Sequence, residues 1–460
     1  MNDLHYMPAT EAVKLFKARK LSPVELVRAV IDRATSVEPK INAFAQTFFD
    51  EAMTQARAAE NRYAGNQARP LEGLLVAVKE EAPIVGHKNT LGSLALRDVI
   101  ADHTAVFVQR ILDAGGIVHA RTTTPEFACA PVTWSKLWGV TRNPWNLAFS
   151  PGGSSGGSAA SLAAGSTMLA TGSDIGGSIR MPASMSGVVG FKPPYGRVPE
   201  TEIFNLDHYC HEGPLARTVS DVALLENVVA GPDPSDVVSI RPKLVIPDRL
   251  ESIKGLRLAL STNLNCYDVD KEVLANTHAA ADRLRDAGAT VEEVSLPWEL
   301  ASINRATRIH FGMIFGPSIQ ELYDKHGDEF TSYARAFVAE CAGVAKEDFV
   351  KGLALEAQIY QPLGELLDKF DALICPTFAV PALPAEWDAP NVLDTLMTVP
   401  FNIASRCPVI SIPSGRSRDG VPTGLSVVGK TYDDVTAFRI AASHEQRFPW
   451  YDAPERRPAL

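Results

Sequence analysis

The spacing of apolar residues predicts that this chain begins with helices. Ser22 and Glu25 have the spacing of a capping box, and Pro23 takes the first helical position. Over residues 26–34 the apolar side chains then recur at helical spacing, which marks one buried face. We therefore predict a helix that begins at Pro23, inside an N-terminal helical segment of residues 1–65.

Short apolar runs alternate with amphipathic segments along the rest of the chain. The run 74–78 is continuously apolar, which is typical of a buried strand, and Lys79 closes it. The same patterns predict strands at 117–120, 256–260, 290–294, 372–375, 408–413 and 424–428, and helices at 104–114, at 270–287, over most of 300–370 and from 433. This alternation predicts an α/β fold, one large domain with a central, mostly parallel or mixed twisted sheet covered by helices.

Composition and charge argue against some classes of binding partner. The chain has 460 residues and a net charge of −10, which argues against a protein that tracks nucleic acid and weakly against one that binds an anionic membrane. No apolar run is long enough to span a bilayer, and the first residues do not form a signal peptide. We expect a cytoplasmic protein that binds a small, neutral or apolar molecule. Whether it forms a homodimer stays open.

The six cysteines are scattered, at positions 129, 210, 266, 341, 375 and 407. They form no CxxC motif and no close pairing with histidine, so they predict neither a zinc site nor a disulfide framework. This pattern suits a reducing compartment. The sequence therefore gives no reason to expect a metal or another cofactor.

Glycine and serine are concentrated in two bursts, residues 152–158 and 176–178. In the second burst, two glycines precede Ser178, so the backbone can turn and point consecutive N–H groups at one spot beside the hydroxyl. Such a turn supplies a nucleophile and a site for an oxyanion, which is the geometry that acyl transfer requires. No histidine lies within about 25 residues of the turn to accept the serine proton.

Two other motifs compete with this interpretation. Residues 153–157 fit G-x-S-x-G, which would make Ser155 a nucleophile, but the proline-containing segment before them does not read as the strand that this motif requires. Residues 424–431 fit the phosphate loop G-x-x-x-x-G-K-[ST]. Their central Leu-Ser-Val-Val suits a strand better than an open loop, so nucleotide binding is a minor alternative.

A long, ordered stretch of the chain resembles the amidase signature family. The resemblance is densest over 70–200 and is carried by GGSSGGSAASLAAGSTMLATGSDIGGSIRMPASMSGVVGFKPPYGRVP, by PLEGLLVAVKE, PEFA and TRNPWN before it, and by GPLART and GLSVVG after it. It implies an amide hydrolase that forms an acyl-enzyme. The segment 70–245 would be the core that carries the catalytic residues, 246–370 a βαβ and helical region shaping the substrate pocket, and 371–460 the C-terminal strands and helix.

The resemblance also assigns roles to individual residues. It implies a Ser-Ser-Lys triad with Ser178 as nucleophile, Ser154 as a bridging serine after a cis peptide, and Lys79 as base. The backbone N–H groups of Ile175, Gly176, Gly177 and Ser178 would form the oxyanion hole. Ser155 would support Lys79 by a hydrogen bond. From the residues themselves we expect Asp174 and Arg180 to pin the nucleophile loop.

Lysine can act as a base only in its neutral form. Burial of an amine disfavours its charge, and the apolar run before Lys79 would provide that burial. The family commonly has Asp-Asn after this lysine, whereas this chain has Glu80 and Glu81. In an extended strand Glu81 returns to the side of Lys79, where its charge would oppose catalysis. It must either turn out to solvent or serve a role that the sequence does not reveal.

Aromatic residues in three segments could line an apolar pocket for an aryl or apolar amide or anilide: 127–138, 203–211 and 310–315. Within the family, the alternative is the glutamine-hydrolysing component of a tRNA-dependent amidotransferase, its A subunit, which works with partner subunits. The altered residues after Lys79 make this alternative less favoured, and nothing in the sequence excludes it.

Overall fold

Thirteen strands and fourteen α-helices lie within residues 3–388, 392–451 and 454–460, which this computed structural model describes. The predicted segments 1–65 and 371–460 also include residues 1–2, 389–391 and 452–453, which lie outside the described residues. The strands are β1 (Phe44–Thr47), β2 (Leu75–Lys79), β3 (Ile117–Thr122), β4 (Trp134–Ser135), β5 (Gly139–Val140), β6 (Leu169–Ser173), β7 (Val189–Lys192), β8 (Glu212–Ala216), β9 (Arg257–Leu260), β10 (Thr290–Glu293), β11 (Ala372–Pro376), β12 (Val409–Arg416) and β13 (Pro422–Gly429).

The helices surround these strands. They are α1 (Ala9–Lys17), α2 (Pro23–Ile41), α3 (Phe49–Ala64), α4 (Val106–Asp113), α5 (Gly156–Ala164), α6 (Arg180–Ser186), α7 (Val219–Val229), α8 (Lys271–Asp286), α9 (Leu300–Met313), α10 (Phe315–His326), α11 (Ser332–Ala342), α12 (Asp348–Leu367), α13 (Pro400–Ile403) and α14 (Asp434–Arg447). The predicted capping box is present at the start of α2. Within the described ranges, each helix is too short or too polar to cross a membrane.

Eleven of the strands form one sheet, in the order β1-β3-β2-β6-β8-β7-β12-β13-β11-β9-β10. Pairing is antiparallel through the middle, from β6 to β11, and parallel where β2 meets β3 and β6 and where β9 meets β10 and β11. The predicted single α/β domain is confirmed, and its sheet is mixed rather than mostly parallel.

Both faces of the sheet are covered, because successive strand residues point to opposite sides. In β11, Ala372 and Ile374 join the core that contains α4, α7, α8 and α14, whereas Leu373 and Cys375 join the core formed with α9, α12 and α13. Burial of apolar side chains on both faces fixes the register of each strand. The chain beyond the carboxyl ends of β2 and β6 is thereby held in place.

Helix α5 packs directly against the sheet because its residues are small. All nine residues of its sequence GGSAASLAA are buried. A Cβ at Gly157 would lie 2.5 Å from the backbone nitrogen of Thr123, so only glycine allows this approach. The close packing fixes the residues just before α5, including Ser154 and Ser155.

The phosphate-loop match at 424–431 does not form a loop. Residues 424–429 belong to β13, which is buried along its whole length and pairs with β11 and β12. Their N–H groups cannot form an open cradle for phosphate while they lie in a central strand. The helix that follows, α14, begins only at Asp434.

Candidate active site

Lys79 is the last residue of β2, and its side chain is only 1% exposed. Its Nζ lies 2.7 Å from Oγ of Ser154, 2.8 Å from Oγ of Ser173 and 2.9 Å from Oε1 of Glu81. Strands β2 and β6 are parallel neighbours that end at Lys79 and Ser173, so their carboxyl ends bring the amine and the Ser173 hydroxyl together. Three side chains therefore contact the amine.

The loop before α5 carries Ser154 to this amine. The peptide bond between Gly153 and Ser154 is cis. A Cβ at Gly153 would lie 2.6 Å from the carbonyl oxygen of Ala130, so the chain passes through a gap that fits only glycine. The N–H of Ser155 donates to the carbonyl of Ser178 over 3.1 Å, which joins this loop to the second glycine-serine burst.

Ser178 lies in the turn between β6 and α6 and is 6% exposed. Its hydroxyl makes no hydrogen bond to any residue in the described part of the chain, and it faces a cavity. The loop that holds Ser178 is joined through Ser155 to the loop that holds Ser154, and Ser154 contacts Lys79. The structure thus brings Lys79, Ser154 and Ser178 to one place.

A buried ion pair fixes the Ser178 turn. Both oxygens of Asp174 accept hydrogen bonds from the Arg180 guanidinium, at 2.7 and 2.8 Å, and both side chains are fully buried. Burial alone would raise the pKa of Asp174, but the charge and hydrogen bonds of Arg180, together with the hydrogen bond from Asn402, outweigh burial and hold that pKa below its usual range. Asn402 and the carbonyl of Thr398 also bind Arg180. The pair therefore has the structural position expected from the sequence.

The oxyanion hole implied by the family resemblance needs one correction. The N–H of Gly177 donates to Oδ1 of Asp174 over 2.8 Å and is already engaged. Within the described ranges, the N–H groups of Ile175, Gly176 and Ser178 have no hydrogen-bond acceptor. These three are the donors available to an oxyanion, and Gly177 instead maintains the shape of the loop.

The predicted role of Ser155 is wrong, because its hydroxyl does not reach Lys79. Its Oγ donates to the carbonyl oxygen of Ser173 over 3.3 Å. Ser173 supplies the hydroxyl that contacts the amine, and sequence reasoning missed it. No local motif marks Ser173, since its contact arises from the pairing of β2 with β6.

The sequence allowed two outcomes for Glu81: its side chain turns out to solvent, or it serves another role. The side chain does not turn out to solvent. Its carboxylate contacts Lys79 instead. Glu80 points away from the amine and accepts hydrogen bonds from the N–H groups of Thr90 and Gly92. Burial raises the pKa of Glu80 to about 7.

No histidine in the described ranges forms a hydrogen bond with Ser154 or Ser178. His211 lies near the turn in space, and its ring contacts the carbonyl oxygens of Asp174 and Ser405. Burial, followed by the charge of Lys192, lowers the pKa of His211 to about 3, so the ring stays neutral at ordinary pH. Lys79 is therefore the basic group in contact with Ser154.

An apolar cavity of about 110 Å³ opens beside Ser178. Of the three predicted aromatic segments, 127–138 contributes Cys129 and its neighbours, and 310–315 contributes Phe311 and Phe315. The segment 203–211 does not line this cavity; its residues border a separate, smaller one. The lining residues that the sequence did not indicate are Met181, Arg308, Phe337, Glu340, Cys341, Leu393 and Leu396. Arg308 and Glu340 form an ion pair with each other.

Among the residues that the structure describes, one group of side chains has metal-ligating chemistry: Asp207, His208 and His310. Nε2 of His310 lies 2.6 Å from Asp207, and His208 lies 3.1 Å from Glu356. Burial lowers the pKa of His310, but its hydrogen bond with Asp207 and its ion pair with Glu356 together outweigh burial and raise that pKa overall. These hydrogen bonds account for the cluster as a network that ties residues 207–208 to α9 and α12.

Comparisons with known proteins agree with this fold. The profile of the Amidase family matches residues 25–438, and the chain therefore belongs to that family, whose amidase signature enzymes hydrolyse amides. An acylamidase of Rhodococcus erythropolis is 33% identical over 478 residues, covering 99% of this chain and 98% of the relative.

Two further similar proteins carry the names of the two candidate activities, amidotransferase and acylamidase. The A subunit of the glutamyl-tRNA(Gln) amidotransferase of Carboxydothermus hydrogenoformans is 34% identical over 495 residues, covering 100% of both chains. The crystal structure of a bacterial aryl acylamidase of the amidase signature family superposes with a TM-score of 0.91 at 29% identity, covering 99% of both chains. The family is thus established, and this chain resembles both acylamidases and the amidotransferase component.

Proposed function

We propose that this chain hydrolyses carboxamides through an acyl-enzyme on Ser178, with Lys79 as the base and Ser154 as the bridge between them. The observation that carries the proposal is the 2.7 Å contact between Nζ of Lys79 and Oγ of Ser154. This contact gives the serine proton a path to a buried amine in a site where no histidine binds the serines in the part of the chain that is described.

In acylation, Oγ of Ser178 attacks the amide carbonyl carbon. Its proton passes to Oγ of Ser154, whose own proton passes to the neutral amine of Lys79. The negative oxygen that forms is stabilised by the N–H groups of Ile175, Gly176 and Ser178, and each such donor typically contributes about 2.7–4 kcal/mol.

Collapse of this intermediate breaks the C–N bond. The proton held on Lys79 returns through Ser154 to the leaving nitrogen, so an amine or ammonia departs and Ser178 remains acylated. Water then attacks the ester carbonyl and passes a proton along the same path, which releases the carboxylate and restores Ser178. In acylation and in deacylation, every proton that is removed is returned to another group. The reaction needs no reactant other than the amide and water.

The cavity supports an aryl or apolar amide or anilide as the substrate. Its lining is mostly apolar, with Phe311, Phe315 and Phe337 among the residues that would contact the substrate. The charged lining residues, Arg308 and Glu340, neutralise each other. Free glutamine carries two charged groups that each need a partner when buried, so this lining favours an apolar substrate.

Activity of the purified chain alone tests this proposal against the amidotransferase alternative. The substrates should be apolar carboxamides, anilides of matched size and glutamine, with release of amine or ammonia as the readout. Turnover of apolar amides without any partner, lost in Ser178→Ala, supports the proposal. Glutamine hydrolysis that depends on added partner proteins would support the amidotransferase role instead.

A further inference from the structure

A carboxylate contacts the amine of Lys79 in addition to the Ser154 and Ser173 hydroxyls. Oε1 of Glu81 lies 2.9 Å from Nζ, and the Glu81 side chain is only 16% exposed. Glu81 is the one carboxylate within 4.0 Å of this amine among the described residues. The proposed proton path from Ser178 through Ser154 to Lys79 does not use it.

Two further glutamates lie behind this pair. Glu212 begins β8 and is the register partner of Ser173, whose hydroxyl contacts Lys79. Glu200 lies near Glu212, and its negative charge disfavours ionisation of Glu212.

Burial and neighbouring carboxylates disfavour a negative charge on Glu212. Burial raises the pKa of Glu212 well above its usual range, and the neighbouring Glu200 and Glu81 raise it further. Burial also raises the pKa of Glu200. These directions disfavour a charge on Glu200 and Glu212, and Glu81 is the carboxylate that contacts the amine.

The other charged groups around Lys79 bind partners other than its amine. Directly after β2, Glu80 accepts hydrogen bonds from the N–H groups of Thr90 and Gly92. On β3, Arg121 donates to the carbonyl oxygens of Lys79 and Glu80. After β6, Asp174 is paired with Arg180. Beside Glu212, His211 is neutral for the reasons given above.

We propose that Glu81 is a positioning residue for Lys79, which orients the amine toward Ser154 and sets the pH above which that amine accepts the serine proton. The inference rests on the proposed hydrolase function. An ionised carboxylate at this distance favours the protonated amine, so it narrows activity to more alkaline pH. Once Lys79 has taken the proton, the same charge stabilises the ammonium, as the aspartate does for histidine in a Ser-His-Asp triad.

Glu81→Gln separates these two effects, since it keeps the size of the side chain and removes its charge. The midpoint of the acid limb of kcat/KM should move about 1 to 2 pH units toward acid. The plateau rate at alkaline pH should fall about tenfold, because the developing ammonium loses its partner. Glu81→Asp, which keeps the charge but withdraws it by one methylene, should give an intermediate midpoint.

The experiment follows the rate of Ser178 labelling by a fluorophosphonate, and in parallel the hydrolysis of an apolar anilide, from about pH 6 to about pH 10. Glu202→Gln removes a charge from an exposed position near Glu200 and is the matched control, expected to keep the wild-type profile. Circular dichroism verifies folding, and Glu81→Asp carries the test if Glu81→Gln does not fold.

The outcomes separate this inference from the proposed function. An acid-shifted midpoint in Glu81→Gln, with Glu202→Gln unchanged, supports the inference. A wild-type midpoint in both Glu81 variants, or a loss of rate that is equal at every pH, overturns it while leaving the hydrolase in place. If the wild-type protein neither labels at Ser178 nor hydrolyses any amide, the proposed function fails and this inference fails with it.

Discussion

Nζ of Lys79 lies 2.7 Å from Oγ of Ser154, although 75 residues separate them in the chain. The lysine is the last residue of β2, at the carboxyl end of that strand. The small residues of α5 allow the loop before this helix to approach the sheet, so the contact forms. The proposed chemistry depends on this contact, and several of its supports can be tested one residue at a time.

Ser173→Ala tests the second hydroxyl that contacts the amine. A hydrogen bond to a charged group is typically worth about 1.5–3 kcal/mol, so losing this one should lower kcat/KM by about tenfold or more. Steady-state kinetics measure the change. Ser161→Ala is the control, because that hydroxyl donates only to Ser158 within α5. Equal rates in the two variants would show that Ser173 does not position Lys79.

Gly177→Ala and Gly176→Ala form a matched pair in the nucleophile loop. Gly177 has φ of +124°, and an added Cβ would lie too close to Oγ1 of Thr398. A Cβ on Gly176 would face the cavity, with its nearest neighbour, Cζ of Phe311, at 3.7 Å. Thermal unfolding should show Gly177→Ala destabilised by about 1–3 kcal/mol and Gly176→Ala close to wild type. Equal stabilities would contradict this account of the loop.

Arg180→Met should expose the dependence of the fold on its buried ion pair. The substitution leaves the Asp174 charge buried without its partner, which typically costs about 3–5 kcal/mol. The free energy of unfolding in urea measures the loss. The double variant Asp174→Asn/Arg180→Met should lose less than the single one, because no uncompensated charge remains. A loss below about 1 kcal/mol in the single variant, as for an exposed pair, would refute the prediction.

Glu356 gives the protein a pH-dependent stability. Burial would raise its pKa, but the hydrogen bond with His208 and the ion pair with His310 together outweigh burial and lower it to about 2. Because the folded pKa lies below the ordinary glutamate value of about 4.3, the contribution is present above that pH and is lost as pH falls toward about 2.

Melting temperatures of wild type and Glu356→Gln should therefore differ at neutral pH and converge in acid. Glu365→Gln, at an exposed position on the same helix, is the control and should track wild type throughout. A constant difference between wild type and Glu356→Gln at every pH would show that the lost contacts do not depend on the charge of the carboxylate.

The sequence predicted those parts of the fold that local patterns encode. The apolar run before Lys79 and the capping box at Ser22 are confirmed as β2 and the start of α2. Strand β6 was not predicted, because its sequence LATGS lacks the alternation and the β-branched apolar residues that mark a strand. The contact of Ser173 with Lys79 was unforeseeable for the same reason.

The cavity was only partly predictable. The aromatic residues at 311 and 315 were singled out, but Phe337 was not, since the face of α11 that turns toward Ser178 depends on how the helices pack. The position of Glu81 illustrates a different limit. Alternation along the strand correctly placed it on the side of Lys79, but whether its side chain would contact the amine could be read only from the structure.

The most direct measurement is the rate at which the purified chain, with no partner present, hydrolyses an apolar anilide in its wild-type, Ser178→Ala and Lys79→Ala forms. The account predicts turnover by wild type and a loss of about 10⁴-fold or more in each variant. A folded Lys79→Ala or Ser178→Ala protein that keeps its rate within about tenfold of wild type would contradict it.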